Sequence, residues 1–298
     1  MKNILIIGCG LLGSSLLRRI SKKKIAKRIF VYEKSKSNIS KIKKLKLSGT
    51  IIKSLKTGVV NSDLIIFCTP MSEYKELILK INNSILPKTL ITDIGSSKIE
   101  TSKIIKKFLK KGIHWTQSHP ITGSEVSGPE HGKDNIFEKK WCIIIKDKNT
   151  SKSNLNTLTK FWKKIGSKVV VMSPEKHDRI FSMTSHLPHL IAYNLVKSAQ
   201  DFEKNQKYNL IKYSAGGLRD FSRIAASNEI MWRDIFFNNK NNISKAIDLF
   251  IKNLNEFKKD INSRNNKSIL KKLIKTKKVR SKIIKLKQDI DKPDFGRN

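Results

Sequence analysis

The sequence predicts an α/β chain, a doubly wound parallel sheet followed by an all-helical second domain. Three observations lead to this. Short apolar runs of strand length alternate with helical patterns through the first half, as expected for parallel strands buried on both faces. A glycine-spaced turn, Gly8-Cys9-Gly10-Leu11-Leu12-Gly13, joins the first run to the first helix. After Ser173-Pro174 only helical periodicity continues, so domains are expected over 1–172 and 173–298.

The first strand is Ile4 to Ile7, and the helix after it carries Leu16, Leu17 and Ile20 on one side. In a Rossmann-type turn of this spacing, Gly8 permits the tight bend, Gly10 lets a pyrophosphate reach the backbone, and Gly13 lets helix and strand pack closely. Leu11 and Leu12 open the helix, where free N–H groups and the positive dipole end suit phosphates. The second strand, Arg28 to Tyr32, ends at Glu33, twenty residues after Gly13. A carboxylate there accepts hydrogen bonds from ribose hydroxyls and repels a 2′-phosphate, which predicts NAD over NADP. Lys34 and Lys36 beside it act in the opposite sense.

Leu64 to Cys68, ending in Thr69-Pro70, and Leu90 to Ile94 continue the strand series. Trp141 to Ile145 and Val169 to Met172, with a helix from about Ser153 to Ile165 between them, are expected to complete the first domain. Ligands in such sheets bind beyond the carboxyl ends of the strands. Thr69-Pro70, Asp93-Ile94-Gly95-Ser96-Ser97-Lys98 and His119 should therefore face one crevice. From Glu175 to about Lys287 the pattern is helical, with breaks expected near Pro188, at Gly216-Gly217 and around Asn238 to Asn242. The tail from Lys271 begins as a lysine-rich helix.

The formal net charge is +38, with a pI near 10.2. The lysines are scattered among Ile and Asn, and the aromatics sit in apolar runs without alternating with basic residues. That distribution argues against nucleic-acid binding as the main function and fits steering of small anionic substrates. Cys9, Cys68 and Cys142 lie far apart with no CxxC pair, so neither a disulfide framework nor a zinc site is expected, and a reducing cytoplasm fits. Glycines interrupt the apolar N-terminus, and no stretch reaches the roughly 20 apolar residues of a membrane span. A soluble protein without membrane contact is expected.

His119 lies in Trp115-Thr116-Gln117-Ser118-His119-Pro120-Ile121-Thr122-Gly123-Ser124-Glu125, ahead of a glycine-rich loop. A histidine held at the mouth of a loop suits a general base, because its ordinary pKa is near working pH. Ser185-His186-Leu187-Pro188-His189-Leu190 sets two histidines three apart, with Pro188 suited to a first helical turn. The pair fits a metal site, a buried hydrogen-bonded pair or a ligand-facing histidine. The metal reading lacks a third ligand nearby in sequence. Gly216-Gly217-Leu218-Arg219-Asp220-Phe221-Ser222-Arg223 places two arginines four apart, able to grip a carboxylate or to sit in solvent. Trp232, in Met231-Trp232-Arg233-Asp234-Ile235-Phe236, fits core or pocket wall.

Taken in order, GCGLLG, DIGSSK, HPITGSE, SHLPHL, GGLRDFSRIA and MWRDIF strongly resemble the prephenate dehydrogenase family, which includes the cyclohexadienyl and arogenate dehydrogenases; the ending KPDFGR is similar too. The resemblance runs from Lys2 to the C-terminus. It implies an NAD-dependent dehydrogenase of tyrosine biosynthesis acting on prephenate, arogenate or both, needing no metal and forming a homodimer. By motif, the family's catalytic histidine falls on His119 and its partner serine on Ser96. The substrate-site residues fall on Glu125, His189, Gly216, Asp220, Arg223 and Trp232, and the cofactor residues on Gly8, Gly10, Leu11, Leu12, Gly13, Glu33, Thr69 and Pro70. Arg223 is the expected carboxylate ligand, walled off from water by the apolar Ile224-Ala225-Ala226, while Arg219 should face solvent or an acidic neighbour. Thr122 and Ser124 stand where Ala and Thr are commoner, and Arg219 where Lys or another residue is. The competing readings are another NAD(P)-dependent reductase with a helical second domain, which would lack HPITGSE and SHLPH together, and a basic nucleic-acid-binding module.

Overall fold

A computed structural model of the chain describes residues 1–206 and 211–286; the KPDFGR ending lies outside the described residues. In chain order the first elements are β1 (Asn3–Ile7), α1 (Leu11–Lys22), β2 (Arg28–Tyr32), α2 (Lys36–Lys44), β3 (Thr50–Ile51) and α3 (Leu55–Val60). Then come β4 (Leu64–Phe67), α4 (Tyr74–Ile81), β5 (Leu90–Asp93), α5 (Ile99–Phe108) and β6 (His114–Trp115). These strands form one parallel sheet in the order β3-β2-β1-β4-β5-β6. The order reverses beside β1, where such sheets open a crevice for a dinucleotide.

Alternation along β1 divides the core. Ile4 and Ile6 join Leu16, Leu17 and Trp162 in one cluster, and Leu5 and Ile7 join Val59, Tyr74 and Leu77 in another. All four β1 side chains are 0–1 % exposed. Each such burial stabilises the fold by about 1.5–3 kcal/mol.

The later strands form a sheet of their own beside the parallel one. The strands β7 (Ser118–Pro120), β8 (Trp141–Ile145) and β9 (Lys168–Met172) make a separate three-stranded sheet, with α6 (Lys152–Ile165) crossing between the last two. β7 runs antiparallel to β8, and β9 parallel to it. The edge strand β6 has two residues only, and β7 is held across the end of β5: Ser118 Oγ donates to Asp93 O at 2.7 Å, and Lys98 Nζ to Ser118 O at 2.7 Å. His119 is thereby set at the carboxyl end of the main sheet.

The helical region follows as α7 (Pro174–Phe181), α8 (Leu187–Gln206), α9 (Gly216–Ser222), α10 (Glu229–Asn238), α11 (Lys240–Asn262) and α12 (Asn266–Lys285). Ser173 caps α7 by accepting from Lys176 N, with Pro174 in the first turn. The break expected near Pro188 is a π-helical turn over Ser182–His186 that carries α7 directly into α8. Pro188 has no N–H to return to the preceding turn, and the backbone widens there. No described helix is long and apolar enough to cross a membrane.

Candidate active site

The cofactor end of the crevice is built from backbone. Gly8 has φ +88°, and a Cβ there would lie 2.8 Å from Cys68 O. At Gly13 a Cβ would lie 2.1 Å from Gly8 O, so only glycine lets α1 come this close. At Gly10 a Cβ would meet nothing within 4 Å, which leaves open space in front of the helix N-terminus. Gly10 caps α1 without a side-chain hydrogen bond, leaving the amides around Leu11 and Leu12 available to an anion. Thr69 Oγ1 is buried with no partner among the described residues, and Thr69 and Pro70 line the β4 end beside Gly8. An open cradle at helix amides and an orphaned hydroxyl beside it fit a dinucleotide.

Glu33 stands at the end of β2 as expected. Its Oε2 accepts from Cys9 N at 2.7 Å and its Oε1 from Ser35 N at 2.8 Å. Each oxygen keeps a second lone pair for a ribose hydroxyl. Lys34 forms an ion pair with Glu73, so this cation already has a carboxylate partner.

His119 is buried, and its imidazole is not oriented by Ser96. Its Nδ1 lies 2.8 Å from His177 Nε2, and His177 Nδ1 lies 2.7 Å from Asp178 Oδ1. Phe181 packs against both rings, at 5.1 and 4.5 Å between centroids. The Nε2 of His119 has no protein partner among the described residues. Burial, then the neighbouring His177 and Lys98, hold the His119 pKa well below the ordinary value, so the ring is neutral at neutral pH. Burial also lowers that of His177. Ser96 is half-buried at the loop before α5, and no hydrogen bond joins it to His119 among the described residues.

Lys98 is fully buried beneath this pair, with Nζ 2.7 Å from Asp93 Oδ2. Asp93 Oδ2 also accepts from Tyr74 Oη and Gly95 N, while Trp115 Nε1 donates to Oδ1. A buried ion pair persists only with such additional bonds. Asp178, from α7, accepts from Lys98 N and Ile99 N, each at 2.8 Å, and so caps α5 from another part of the fold. His177, Asp178 and Lys98 were not among the residues expected from sequence in the catalytic group. The available signal was the adjacent His-Asp pair just after Ser173-Pro174.

In the helical region, His189 stacks on Trp232 with centroids 3.8 Å apart. His189 Nδ1–H donates to Ser185 O at 2.9 Å, leaving Nε2 as an acceptor. Trp232 is 5 % exposed, and its Nε1 has no partner among the described residues. His186 does not share a ligand with His189. Its Nδ1 accepts from Asn239 Nδ2 at 3.1 Å, and burial lowers its pKa to about 4. His186 is thus the buried, hydrogen-bonded ring, while His189 is half-buried against Trp232.

Arg223 corrects the expectation that it is walled off. Its side chain is 48 % exposed and pairs with Glu125 at 3.2 Å, joining the loop after β7 to the end of α9. Ile224 and Ala225 are only half-buried and Ala226 is exposed, so the apolar run after it makes no wall. The pair brings together Glu125 and Arg223, 98 residues apart in sequence. Arg219 and Asp220 are exposed on α9, and Gly216, half-buried at its start, has space in front of it, with only Arg219 Nη2 near, 3.9 Å from an added Cβ.

Residues 16–171 match the family profile described as prephenate dehydrogenase, nucleotide-binding domain, and residues 173–276 that described as prephenate dehydrogenase, dimerization domain. The chain is 30 % identical over 290 residues to the cyclohexadienyl dehydrogenase of Zymomonas mobilis, covering 97 % of this chain and 98 % of that one. It is 32 % identical to the prephenate dehydrogenase of Bacillus subtilis over 86 % of this chain and 69 % of that one. The crystal structure of prephenate dehydrogenase from Aquifex aeolicus, in complex with hydroxyphenyl propionate and NAD+, superposes with a TM-score of 0.88 at 33 % identity, over 95 % of this chain and 98 % of that one. With the glycine cradle, the buried histidine and matches over nearly its whole length, the chain belongs to the prephenate dehydrogenase family.

Proposed function

We propose that this chain catalyses the NAD-dependent oxidative decarboxylation of prephenate, arogenate or both, giving 4-hydroxyphenylpyruvate or tyrosine, within tyrosine biosynthesis. The observation that carries the reading is the neutral, buried His119, bonded through Nδ1 to His177 and set by β7 at the carboxyl end of a dinucleotide-binding sheet. The substrate ring is a cyclohexadiene with a C4 hydroxyl and a carboxylate. Bound NAD supplies the hydride acceptor, with Gly8, Gly10, Leu11, Leu12, Gly13, Thr69 and Pro70 holding its phosphates and Glu33 its ribose. His119 Nε2 takes the proton of the C4 hydroxyl, which Ser96 orients. Loss of the ring carboxylate as CO2 then restores aromaticity and makes the step irreversible.

Arg223 is the ligand for the ring carboxylate, trading Glu125 for the substrate. Gly216, Asp220, His189 and Trp232 shape the remaining pocket, with the stacked His189–Trp232 pair as one wall. The functional division is 1–172 for the cofactor and 173–298 for substrate and subunit contacts. A homodimer is supported by the exposed Leu249, Phe250, Leu254, Leu270, Leu273 and Ile274 on α11 and α12, apolar side chains that a second copy would cover. The working compartment is the cytoplasm, in keeping with free cysteines. Steady-state rates with prephenate and arogenate, each with NAD and NADP, test the reading. Turnover of at least one with NAD supports it, and turnover of neither overturns it.

A further inference from the structure

The hydrogen-bond directions around His119 can be assigned one after another, starting from Asp178. Its Oδ1 accepts from Lys98 N and faces His177 Nδ1, and its Oδ2 accepts from Ile99 N. Two of these three neighbours are backbone N–H groups, which can only donate, and a carboxyl is ordinarily more acidic than an imidazolium, so the hydrogen shared with His177 sits on the ring. Asp178 is therefore a carboxylate and His177 Nδ1 carries a hydrogen. His177 is buried and neutral, so its Nε2 is a bare lone pair and can only accept. The atom opposite it, 2.8 Å away, is His119 Nδ1, which must then be the donor. One tautomer of His119 remains, with hydrogen on Nδ1 and a lone pair on Nε2.

We infer that His177 and Asp178, although they touch neither substrate nor cofactor, are positioning residues that hold His119 in its proton-accepting tautomer and stabilise it once protonated. The reasoning rests on the reading of His119 as the base. A ring left to itself distributes its hydrogen between two nitrogens and can turn, whereas this one is fixed by a chain of three bonds ending on a charge. When Nε2 takes the substrate's proton, the imidazolium forms in a place where a positive charge is costly. The groups facing the two rings are Lys98 before α5, His186 in the π turn, Cys142 on β8 and Asp178 on α7. Lys98 and His186 oppose a cation there. Asp178 supplies the compensating negative charge through His177, as a buried carboxylate does behind a catalytic imidazole.

The arrangement also links chemistry to domain packing. Asp178 sits on α7, the first helix of the helical region, and it caps α5 of the α/β region with the same two oxygens. His119 is thus oriented only when α7 is docked against the start of α5.

The first measurement needs no variant and no turnover. In 15N-histidine-labelled full-length protein at pH 7.5, His119 assigned by comparison with His119→Asn should show a protonated Nδ1 and an unprotonated Nε2. The opposite tautomer would overturn the inference, whatever the substrate proves to be. The second is Asp178→Asn, whose amide can donate to His177 Nδ1 and so reverse every bond in the chain. It should lower kcat ~10²–10³-fold while KM changes less than about threefold, and the acidic limb of the kcat profile should move to lower pH. Unchanged kcat and an unmoved acidic limb would overturn it. His177→Gln, which keeps an acceptor for His119 Nδ1–H, should retain at least tenfold more activity than His177→Leu. Equal loss in both would reduce His177 to packing. If Asp178→Asn does not fold, the tautomer of the unmodified protein still decides. If no substrate turns over while the Nδ1–H tautomer is found, it is the proposed function that fails.

Discussion

The two ends of the crevice handle charge in opposite ways. On the proton side, His119, His177, Asp178 and Lys98 are buried, and the bonds between them leave no freedom of direction. On the carboxylate side, Arg223 and Glu125 are half-exposed and paired at 3.2 Å, an ion pair of a kind that contributes about 0–1 kcal/mol. Under the proposed function, the difference separates tasks. The group that reacts is preorganised, because disorder there reduces the rate directly. The group that binds is occupied by a weak internal partner that a substrate carboxylate can replace at small cost.

The largest effect should come from the rigid side. His119→Asn keeps a polar side chain but removes the proton acceptor, and kcat should fall ~10²–10⁴-fold with NAD affinity nearly intact. A variant retaining more than about half the rate would move the base elsewhere and dissolve the contrast. On the open side, Arg223→Ala should raise KM at least about tenfold, roughly 1.4 kcal/mol, while Arg219→Ala does much less. Equal effects on steady-state kinetics would make the whole face of α9 the carboxylate site.

Glu33→Ser probes the cofactor end. The ratio of kcat/KM for NAD over NADP should drop by about tenfold, of the order of one charge-assisted hydrogen bond. The same variant removes the acceptor of Cys9 N, so a rise in KM for both cofactors would reveal a second role in holding the glycine turn. The smallest effect is on stability. His119, His177 and His186 all have depressed pKa values in the fold, whereas in the unfolded chain they titrate near 6.5. Below that value the unfolded state binds more protons, so their contribution, complete above about pH 6.5, is lost as pH falls towards the folded values. Asp178, raised by burial, acts in the opposite direction, but only nearer the carboxylate range. Tm should be level from pH 8 to about 6.5 and decline below. A Tm rising as pH falls from 6.5 to 5 would contradict the burial of these rings.

The glycine turn was legible because its constraints are local. Gly8, Gly10 and Gly13 are demanded by backbone distances within one turn, and spacing alone carries that information. β1, β2, β4 and β5 were legible for a similar reason, as each is built on an apolar run, whereas β3 and β6, two residues each, carry no such signal. The three-stranded sheet was not foreseen, because Trp141–Ile145 is equally apolar whichever sheet it joins, and the bonds that divert β7 come from Asp93 and Lys98. His177 and Asp178 escaped notice since their partner lies 58 residues away from His177, and a histidine on an amphipathic helix reads as surface until the helix is docked. Arg223 was identified by motif, but its exposure depends on how α9 sits, which the apolar residues after it do not determine.

The π turn over Ser182–His186 can also be regarded as a matter of counting. A π turn holds one more residue than an α turn closing at the same place, so everything after it is advanced by one position relative to α7. A residue in a helix is rotated about 100° from the next. Deleting one residue from this segment would let the helix close in α geometry and swing His189 by about that angle, away from Trp232, while His177 and Asp178 on α7 stayed in place. The extra residue therefore acts as a phase offset between two faces of one continuous helix. It lets α7 present His177 and Asp178 to His119 and α8 present His189 to Trp232 without a loop between them.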